Sequence, residues 1–182
     1  ETILADLRRE IAINDTPDNR HNYQRFHKDI LAQPEGLKTP VLRKISNQLF
    51  RKLRHATTND ILALGDALLE SGERYMAFFA FDWAIKRRGK YARSDFSRFE
   101  RWLKRYVDNW GSCDHLGGVI GHLIVQYPDL VSRTKRWTRS RNLLVRREAA
   151  VCLIVPVRQR MLLDDVFGTA DRLLTDAEDL VQ

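Results

Sequence analysis

Hydrophobic residues recur every three or four positions through most of the chain, the spacing that places them on one face of an α-helix. The first such segment, at about residues 2–14, carries Ile3, Leu7 and Ile11 on one face. A β-branched run at residues 151–155 could instead form a buried strand, but a lone strand would lack a partner, so we expect it to be helical. The same spacing predicts nine further helices, at about 20–32, 39–53, 58–70, 71–89, 94–109, 112–126, 129–138, 143–155 and 161–174.

The short loops between these helices favour antiparallel helix pairs. A compact bundle and an α-solenoid both fit, but the pairs recur at about 35 to 45 residues, the range of HEAT-like repeats, without clear self-similarity of sequence. We therefore predict an all-α fold in which antiparallel helix pairs stack as a HEAT-like α-solenoid with a concave basic face. We expect one domain over residues 1–182. A capping-box sequence at Thr175 to Glu178 predicts a further helix that the chain cuts short, and hence a domain truncated at its C-terminal end.

The distribution of charge adds a polyanionic partner to this picture. The 182 residues carry a formal net charge of +7. Residues 86–147 contain 16 Lys and Arg against 5 Asp and Glu, whereas the rest of the chain contains 15 against 19. Such a concentrated basic surface is typical of nucleic-acid-binding proteins. An anionic membrane or an acidic protein is the alternative partner. No apolar run reaches the roughly 18 to 20 residues of a membrane span.

Cysteine usage and the N-terminal sequence indicate a cytoplasmic protein. Cys113 and Cys152 both lie within helical patterns, and their spacing does not suggest a disulfide framework. The start of the chain shows no signal-peptide pattern. We expect a monomer that does not associate with membranes.

The stretch from Tyr106 to Gly121 carries the first candidate chemistry. Gly111 should end one helix, and Ser112 should cap the next. Asp114 then falls in the first turn, where free N–H groups favour a carboxylate, with Trp110 just before it. This aspartate either stabilises its own helix or serves as a functional carboxylate beside an aromatic ring. A stripe of glycines follows on one face and indicates the close approach of a neighbouring helix or of a ligand: Gly117, Gly118 and Gly121.

The second candidate stretch runs from Trp137 to Ala150 and surrounds a predicted helix start with arginines. Asn142 should cap this helix, and its first backbone N–H groups could bind a phosphate. Arginine side chains can grip a phosphate with two parallel hydrogen bonds. The four arginines concerned are Arg139, Arg141, Arg146 and Arg147.

Taken together, these stretches resemble the bacterial DNA alkylation repair family, the AlkD-like DNA glycosylases with HEAT-like repeats. The resemblance covers most of the chain. In the family, a second active-site tryptophan lies on a later helix, which would fall beyond Gln182, and a second aromatic stands where this chain has Asn109. The motifs that carry the resemblance are Thr39-Pro-Val-Leu-Arg-Lys-Ile45, Asn109-Trp-Gly-Ser-Cys-Asp114, Trp137 with Ser140 to Asn142, and Val145-Arg-Arg-Glu-Ala-Ala150.

The resemblance implies a DNA repair glycosylase that excises positively charged N3- and N7-alkylated purines from double-stranded DNA without a metal or an organic cofactor. By motif, it implies Asp114 as the catalytic carboxylate and Trp110 as the aromatic beside the lesion sugar. It also implies Arg147 as the arginine at the lesion-side phosphate. The further residues that we predict to bind DNA are Arg146, Arg141, Arg139 and Asn142.

Other functions fit parts of the sequence. A non-catalytic HEAT-like protein that recognises damaged or branched DNA would need the basic face but not the aspartate. A protein-interaction solenoid would scatter its arginines over convex surfaces. A Ser/His/Asp hydrolase is not favoured, because no nucleophile elbow is present. A metal site lacks the close ligand spacing that such sites show, and its ligands would be Cys113, Asp114, His115 and His122.

Overall fold

Helices account for nearly all the regular structure in residues 2–22 and 35–182, the part of the chain that the computed structural model describes. The chain divides into two units, Glu1–Trp83 and Ala84–Gln182. The helices pack in pairs within the units, and the predicted all-α class is confirmed. None of the described helices is long and apolar enough to cross a membrane. The HEAT-like stacking and the concave basic face stay predictions.

In the first unit, α1 packs against α2, and Pro40 lies in the first turn of α2, where its missing N–H costs nothing. The buried face of α2 carries Leu42, Ile45 and Leu49. Trp83 closes this core and donates its ring N–H to the Ser46 hydroxyl (2.8 Å). The described elements are α1 (Ile3–Asn14), β1 (Arg20–Asn22), β2 (Glu35–Leu37), α2 (Thr39–Phe50), α3 (Thr58–Glu70) and α4 (Met76–Ile85).

A short antiparallel sheet stands where the sequence predicted a helix at 20–32. Strand β1 pairs with β2 so that Arg20 lies opposite Leu37. The helix prediction is wrong for residues 20–22, and positions 23–34 lie outside the described residues. The backbone N–H of Lys38 extends the pairing by donating to the Asn19 carbonyl (2.8 Å). Pairing with a strand distant in sequence therefore outweighs the local helical periodicity.

The second unit is organised around α6, which packs against α5, α8 and α9, while α10 packs against α8. Four apolar side chains in the middle of α6 are completely buried: Leu116, Val119, Ile120 and Leu123. Short 3-10 helices at Pro128–Leu130 and Lys135–Arg139 lead into and out of α7. The helices of this unit are α5 (Asp95–Tyr106), α6 (Trp110–Gln126), α7 (Val131–Thr134), α8 (Leu143–Val151), α9 (Ile154–Arg158) and α10 (Leu163–Leu173).

The β-branched run at residues 151–155 is not a strand. Helix α8 ends at Val151, two turn residues follow, and α9 begins at Ile154. Pro156 explains the break, because a proline cannot donate to the carbonyl four residues earlier and its ring crowds that carbonyl, here the one of Cys152. The helix predicted at about 143–155 is thus interrupted at residues 152–153, and Pro156 lies in the first turn of α9.

The last residues do not form the helix that the capping-box sequence predicted. Residues 174–182 make turns and bends. The Glu178 N–H is accepted by the carboxylate of Asp176 (3.0 Å) rather than by Thr175. Asp176 is itself held by an arginine of α8, and Val181 is buried. These tertiary contacts fix the segment in a non-helical conformation.

Candidate active site

The helix that carries Asp114 begins earlier than the sequence predicted. Asn109, and not Ser112, is the N-cap: its side-chain oxygen accepts the Ser112 N–H (2.9 Å), and its own N–H donates to the Ser112 hydroxyl (3.3 Å). Helix α5 ends at Tyr106, and Gly111 lies inside the first turn of α6. Asp114 is therefore the fifth residue of α6, in its second turn. The prediction of a first-turn carboxylate is wrong, and the backbone N–H groups of the helix start do not hold this side chain.

Asp114 is held instead by an arginine of α8. The Nε of Arg147 donates to one carboxylate oxygen of Asp114 (2.9 Å) and its Nη2 donates to the other (3.1 Å). The two side chains retain 39% and 24% of their exposure, for Asp114 and Arg147 respectively. Two of the predicted site residues thus meet in one bidentate ion pair that solvent can reach.

Trp110 shares a face of α6 with this carboxylate. Residues four apart lie one above the other on a helix, and Trp110, Asp114, Gly118 and His122 follow this spacing. We call these four residues the open row, because each is only half-buried. The aromatic side chain and the carboxylate therefore lie one helical turn apart at the start of α6.

Arg147 also contacts the end of the described chain. Its Nη1 donates to the Leu180 carbonyl oxygen (2.6 Å). The guanidinium group is thus shared between a carboxylate on α6 and a backbone oxygen of the C-terminal segment. A phosphate that binds Arg147 would compete with both.

Arg146, the preceding residue, is more enclosed. Its Nε and Nη2 donate to the two carboxylate oxygens of Asp176 (2.7 and 2.9 Å), and its Nη1 donates to the Ser140 carbonyl (2.9 Å). The side chains of Arg146 and Asp176 are 16% and 9% exposed. The hydrogen bond from Arg146 lowers the pKa of Asp176. Arg146 therefore anchors the C-terminal segment, and few of its N–H groups remain for a phosphate.

The other predicted DNA-binding residues lie around the start of α8. The Asn142 side-chain oxygen accepts the N–H groups of Leu144 (2.8 Å) and Val145 (3.4 Å), which confirms the predicted cap. Those two N–H groups are thereby already satisfied. Arg139 and Arg141 are exposed, and neither has an ion-pair partner among the described residues. They are the more available cations at this end of the helix.

Glu148 is a site residue that the sequence reasoning did not single out. Its side chain is completely buried between α8 and α6, and the Cys113 thiol donates to one carboxyl oxygen (3.2 Å). The other oxygen has no hydrogen-bond partner among the described atoms. Burial raises the pKa of Glu148 well above its ordinary value, and the hydrogen bond from Cys113 offsets this only in part. Helical spacing was the available signal, since Glu148 shares a face with the buried Leu144 and Val145.

Two glycines of the predicted stripe allow α8 and the residues that follow it to pack closely against α6. A Cβ on Gly117 would lie 2.5 Å from a Val151 methyl group and 3.2 and 3.3 Å from the Glu148 carboxyl oxygens. A Cβ on Gly121 would lie 2.6 Å from the Cys152 carbonyl oxygen. Of the two explanations that the sequence left open, the close approach of a neighbouring helix applies to both positions.

The whole basic excess lies in the unit that contains this site. The first unit has 12 Lys and Arg against 12 Asp and Glu, and the second has 19 against 12. The second unit therefore accounts for the net charge of +7. A polyanion would be attracted to the unit that holds Asp114 and Arg147.

The alternative metal site is not formed in the described structure. Within residues 2–22 and 35–182, no group of three His, Cys, Asp or Glu side chains is placed to hold a metal ion. Burial lowers the pKa of His122, and the nearby charge of Arg88 adds to this shift. The Cys113 thiol is buried, and burial raises its pKa, as does the neighbouring Glu148. A buried thiol with a raised pKa is not activated as a nucleophile or as a thiolate ligand.

Comparison with known protein families gives a match over nearly the whole chain. A protein-family model described as DNA alkylation repair enzyme matches residues 7–182, nearly the full length of the chain. No curated protein matches the sequence.

Proposed function

The chain belongs to the DNA alkylation repair enzyme family, and on that premise we propose that it is a DNA glycosylase that excises positively charged N3- and N7-alkylated purines from duplex DNA. The observation that carries the proposal is the half-exposed carboxylate of Asp114, one helical turn from Trp110 in the basic unit. A role in the repair of alkylation damage follows from the family. The reaction and its residues are inferred from the site.

The arrangement suits a reaction in which positive charge moves from the base to the sugar. A cationic alkylpurine leaves as a neutral base when it takes the electron pair of its bond to C1′. The deoxyribose then carries the positive charge, and water adds to C1′ and loses a proton. A carboxylate at Asp114 would stabilise the charged sugar, and the Trp110 ring would add a cation–π attraction.

Arg147 has two roles in this scheme. In the free protein it holds the Asp114 carboxylate through both oxygens. Both side chains of this pair remain partly exposed, so a DNA phosphate can reach the guanidinium group and replace the carboxylate with its own acceptor oxygens. The exchange would fix the lesion-side phosphate and release the negative charge of Asp114 toward the sugar.

The test is single-turnover release of base from duplex DNA that contains N7-methylguanine. Asp114→Asn keeps the size of the side chain and removes its charge, so base release should fall by roughly 10²-fold or more. DNA affinity should hold or rise slightly, because a negative charge near the phosphates is gone. Asp129→Asn is the matched control, since it breaks another bidentate Asp–Arg pair of the second unit, the exposed one with Arg93. Equal rates for wild type and Asp114→Asn would reject the proposed catalytic role.

The second candidate is a non-catalytic protein that binds damaged or branched duplex DNA. The observation that favours it is the same ion pair, because Arg147 neutralises the charge that catalysis needs. Such a protein would bind alkylated DNA and release no base, and Asp114→Asn would change neither property. The base-release assay separates the two functions, because only the glycosylase produces free alkylpurine.

A further inference from the structure

The second unit contains a cavity formed by α5, α7, the 3-10 helix Lys135–Arg139 and the start of α8. The cavity has a volume of about 340 Å³. Helix α8 contributes Val145 to its wall and Arg147 to the candidate active site, so one helix serves both. The polar lining consists of Glu100, Lys104, Arg133, Arg136, Trp137 and Ser140.

The cations of this cavity exceed its carboxylate. Glu100 accepts hydrogen bonds from Lys104 Nζ (2.9 Å), Arg133 Nη2 (2.8 Å) and Trp137 Nε1 (3.0 Å). Burial acts to raise the pKa of Glu100, but the hydrogen bonds from Trp137 and Lys104 outweigh it, and the pKa lies below its ordinary value. One negative charge is therefore shared by two positive charges, and Arg136 adds a third.

Arg136 is the cation that remains available. It is exposed, and it has no ion-pair or hydrogen-bond partner among the described residues. An unpaired guanidinium group keeps its N–H donors for a ligand that enters the cavity. Ser140 adds a hydroxyl to the same wall.

The lining also indicates which ligands do not fit. The Trp137 ring is 4% exposed and stacks on Phe96, with 5.7 Å between ring centroids. It therefore offers no free face for a base or another aromatic ring. The charge of Glu100 is already balanced by Lys104 and Arg133, so the cavity does not attract a cation. An oxyanion is the ligand that a cationic wall with free N–H donors recognises.

We propose that this cavity binds a phosphate group of the DNA backbone, with Arg136 as its principal ligand and Lys104 and Arg133 supplying a positive field. The site would bind the duplex through a phosphate different from the one that Arg147 contacts. This inference rests on the proposed function, since it takes duplex DNA as the partner. A backbone phosphate is favoured over a free one because the whole unit is basic.

The experiment compares Arg136→Ala with Arg158→Ala in binding to a duplex that lacks terminal phosphates. Arg158 is an exposed arginine at the end of α9, so the control removes the same charge from the same unit. Loss of one phosphate contact should weaken binding roughly tenfold at about 0.1 M salt. It should also make the slope of the logarithm of the association constant against the logarithm of the salt concentration less negative by about 0.9. Arg158 does not line the cavity, so the Arg158→Ala protein should bind within about twofold of wild type, because salt screens an exposed charge that makes no direct contact. Equal losses for the two variants would overturn the proposal.

Two further arms separate this site from its alternatives. If Arg136→Ala weakens binding only when the duplex carries a 5′-phosphate, the cavity takes a terminal phosphate and the backbone assignment is wrong. If inorganic phosphate at moderate ionic strength abolishes the difference between wild type and Arg136→Ala, more than potassium chloride of equal ionic strength does, a phosphate contact at Arg136 is supported. A wild type that binds duplex but releases no base would reject the glycosylase and leave the binding comparison valid.

Discussion

Two faces of α6 lie side by side and differ in what they contact. The open row contains Trp110, Asp114, Gly118 and His122, all half-buried. The buried row contains Cys113, Gly117 and Gly121, all buried against α8 and the residues that follow it. Small residues in the buried row allow a close approach of helices, whereas the open row presents the carboxylate and the aromatic side chain. Glycine therefore allows the close approach of helices in the buried row, whereas helix packing does not require it in the open row.

Helix α8 mirrors this division with two consecutive residues. Glu148 inserts between Cys113 and Gly117 of the buried row, and Arg147 reaches Asp114 of the open row. The position of the Asp114–Arg147 ion pair therefore depends on how closely α6 and α8 approach each other. The packing of the buried row therefore sets the position of the side chains in the open row.

The largest effect on stability should come from Gly121→Ala. The added Cβ would lie 2.6 Å from a backbone oxygen of Cys152 and 2.9 Å from the Cβ of Val155. Neither atom is the end of a flexible side chain, so a helix must shift. We expect a loss of roughly 1–3 kcal/mol in the free energy of unfolding, the usual cost of overpacking, measured by urea denaturation.

Gly118→Ala is the matched control on the open row. Its nearest neighbour would be the terminal methyl group of Ile85 at 3.3 Å, which can move by a few tenths of an ångström. Alanine favours a helix over glycine by about 1 kcal/mol, so this variant should be as stable as wild type or more so. Equal destabilisation of the two variants would show that the two rows do not differ in packing.

Glu148 should make the free energy of unfolding depend on pH. Its pKa is raised in the folded protein, so the folded state keeps a proton that the unfolded state loses above its ordinary pKa. The contribution of Glu148 to stability is therefore fully present at acidic pH and is lost as the pH rises toward the folded pKa. The loss should amount to about 1.4 kcal/mol per pH unit.

Glu148→Gln removes this titration and keeps the size of the side chain. The difference in stability between variant and wild type should shift in favour of the variant as the pH rises from about 5 to 7. Urea denaturation at several pH values measures it, and subtracting the two curves cancels the titration of all other groups. Parallel curves over this range would mean that Glu148 ionises normally.

Sequence reasoning found the helices of the second unit because their cores depend on local periodicity, as in α5 and α8. It placed the start of α6 too late because Asn109 and Ser112 are equally good caps in isolation. Each of them satisfies the N–H of the other, and only the structure shows that the helix begins between them. This shift removed Asp114 from the first turn.

The partners of the site residues were harder to predict. The residues of the Asp114–Arg147 pair are 33 positions apart, and those of the Arg146–Asp176 pair are 30 apart. Local spacing carries no information about such contacts. The two arginines are consecutive in the sequence, and both were predicted to bind DNA. Consecutive side chains of an α-helix, however, point in directions about 100° apart. One meets a carboxylate of the open row and the other anchors the C-terminal segment.

The smallest expected effect is the one that tests Arg147 itself. If it acts through a DNA phosphate, Arg147→Lys should keep the charge and lose the two parallel hydrogen bonds, and the affinity for duplex DNA should fall roughly threefold to tenfold. Arg147→Ala should bind more weakly than the lysine variant and lower the salt dependence by one phosphate contact, a slope change of about 0.9.

The rate of base release distinguishes this role from one in which Arg147 orients the carboxylate. At saturating protein, the Arg147 variants should release base within about threefold of wild type, because DNA binding has already removed Arg147 from Asp114 in the proposed exchange. Arg93→Lys is the control, since it weakens a matched ion pair with Asp129 in the same unit. A large fall in the saturated rate with unchanged affinity would show that the ion pair seen in the free protein persists on DNA. The open row would then depend on α8 for its chemistry as well as for its position.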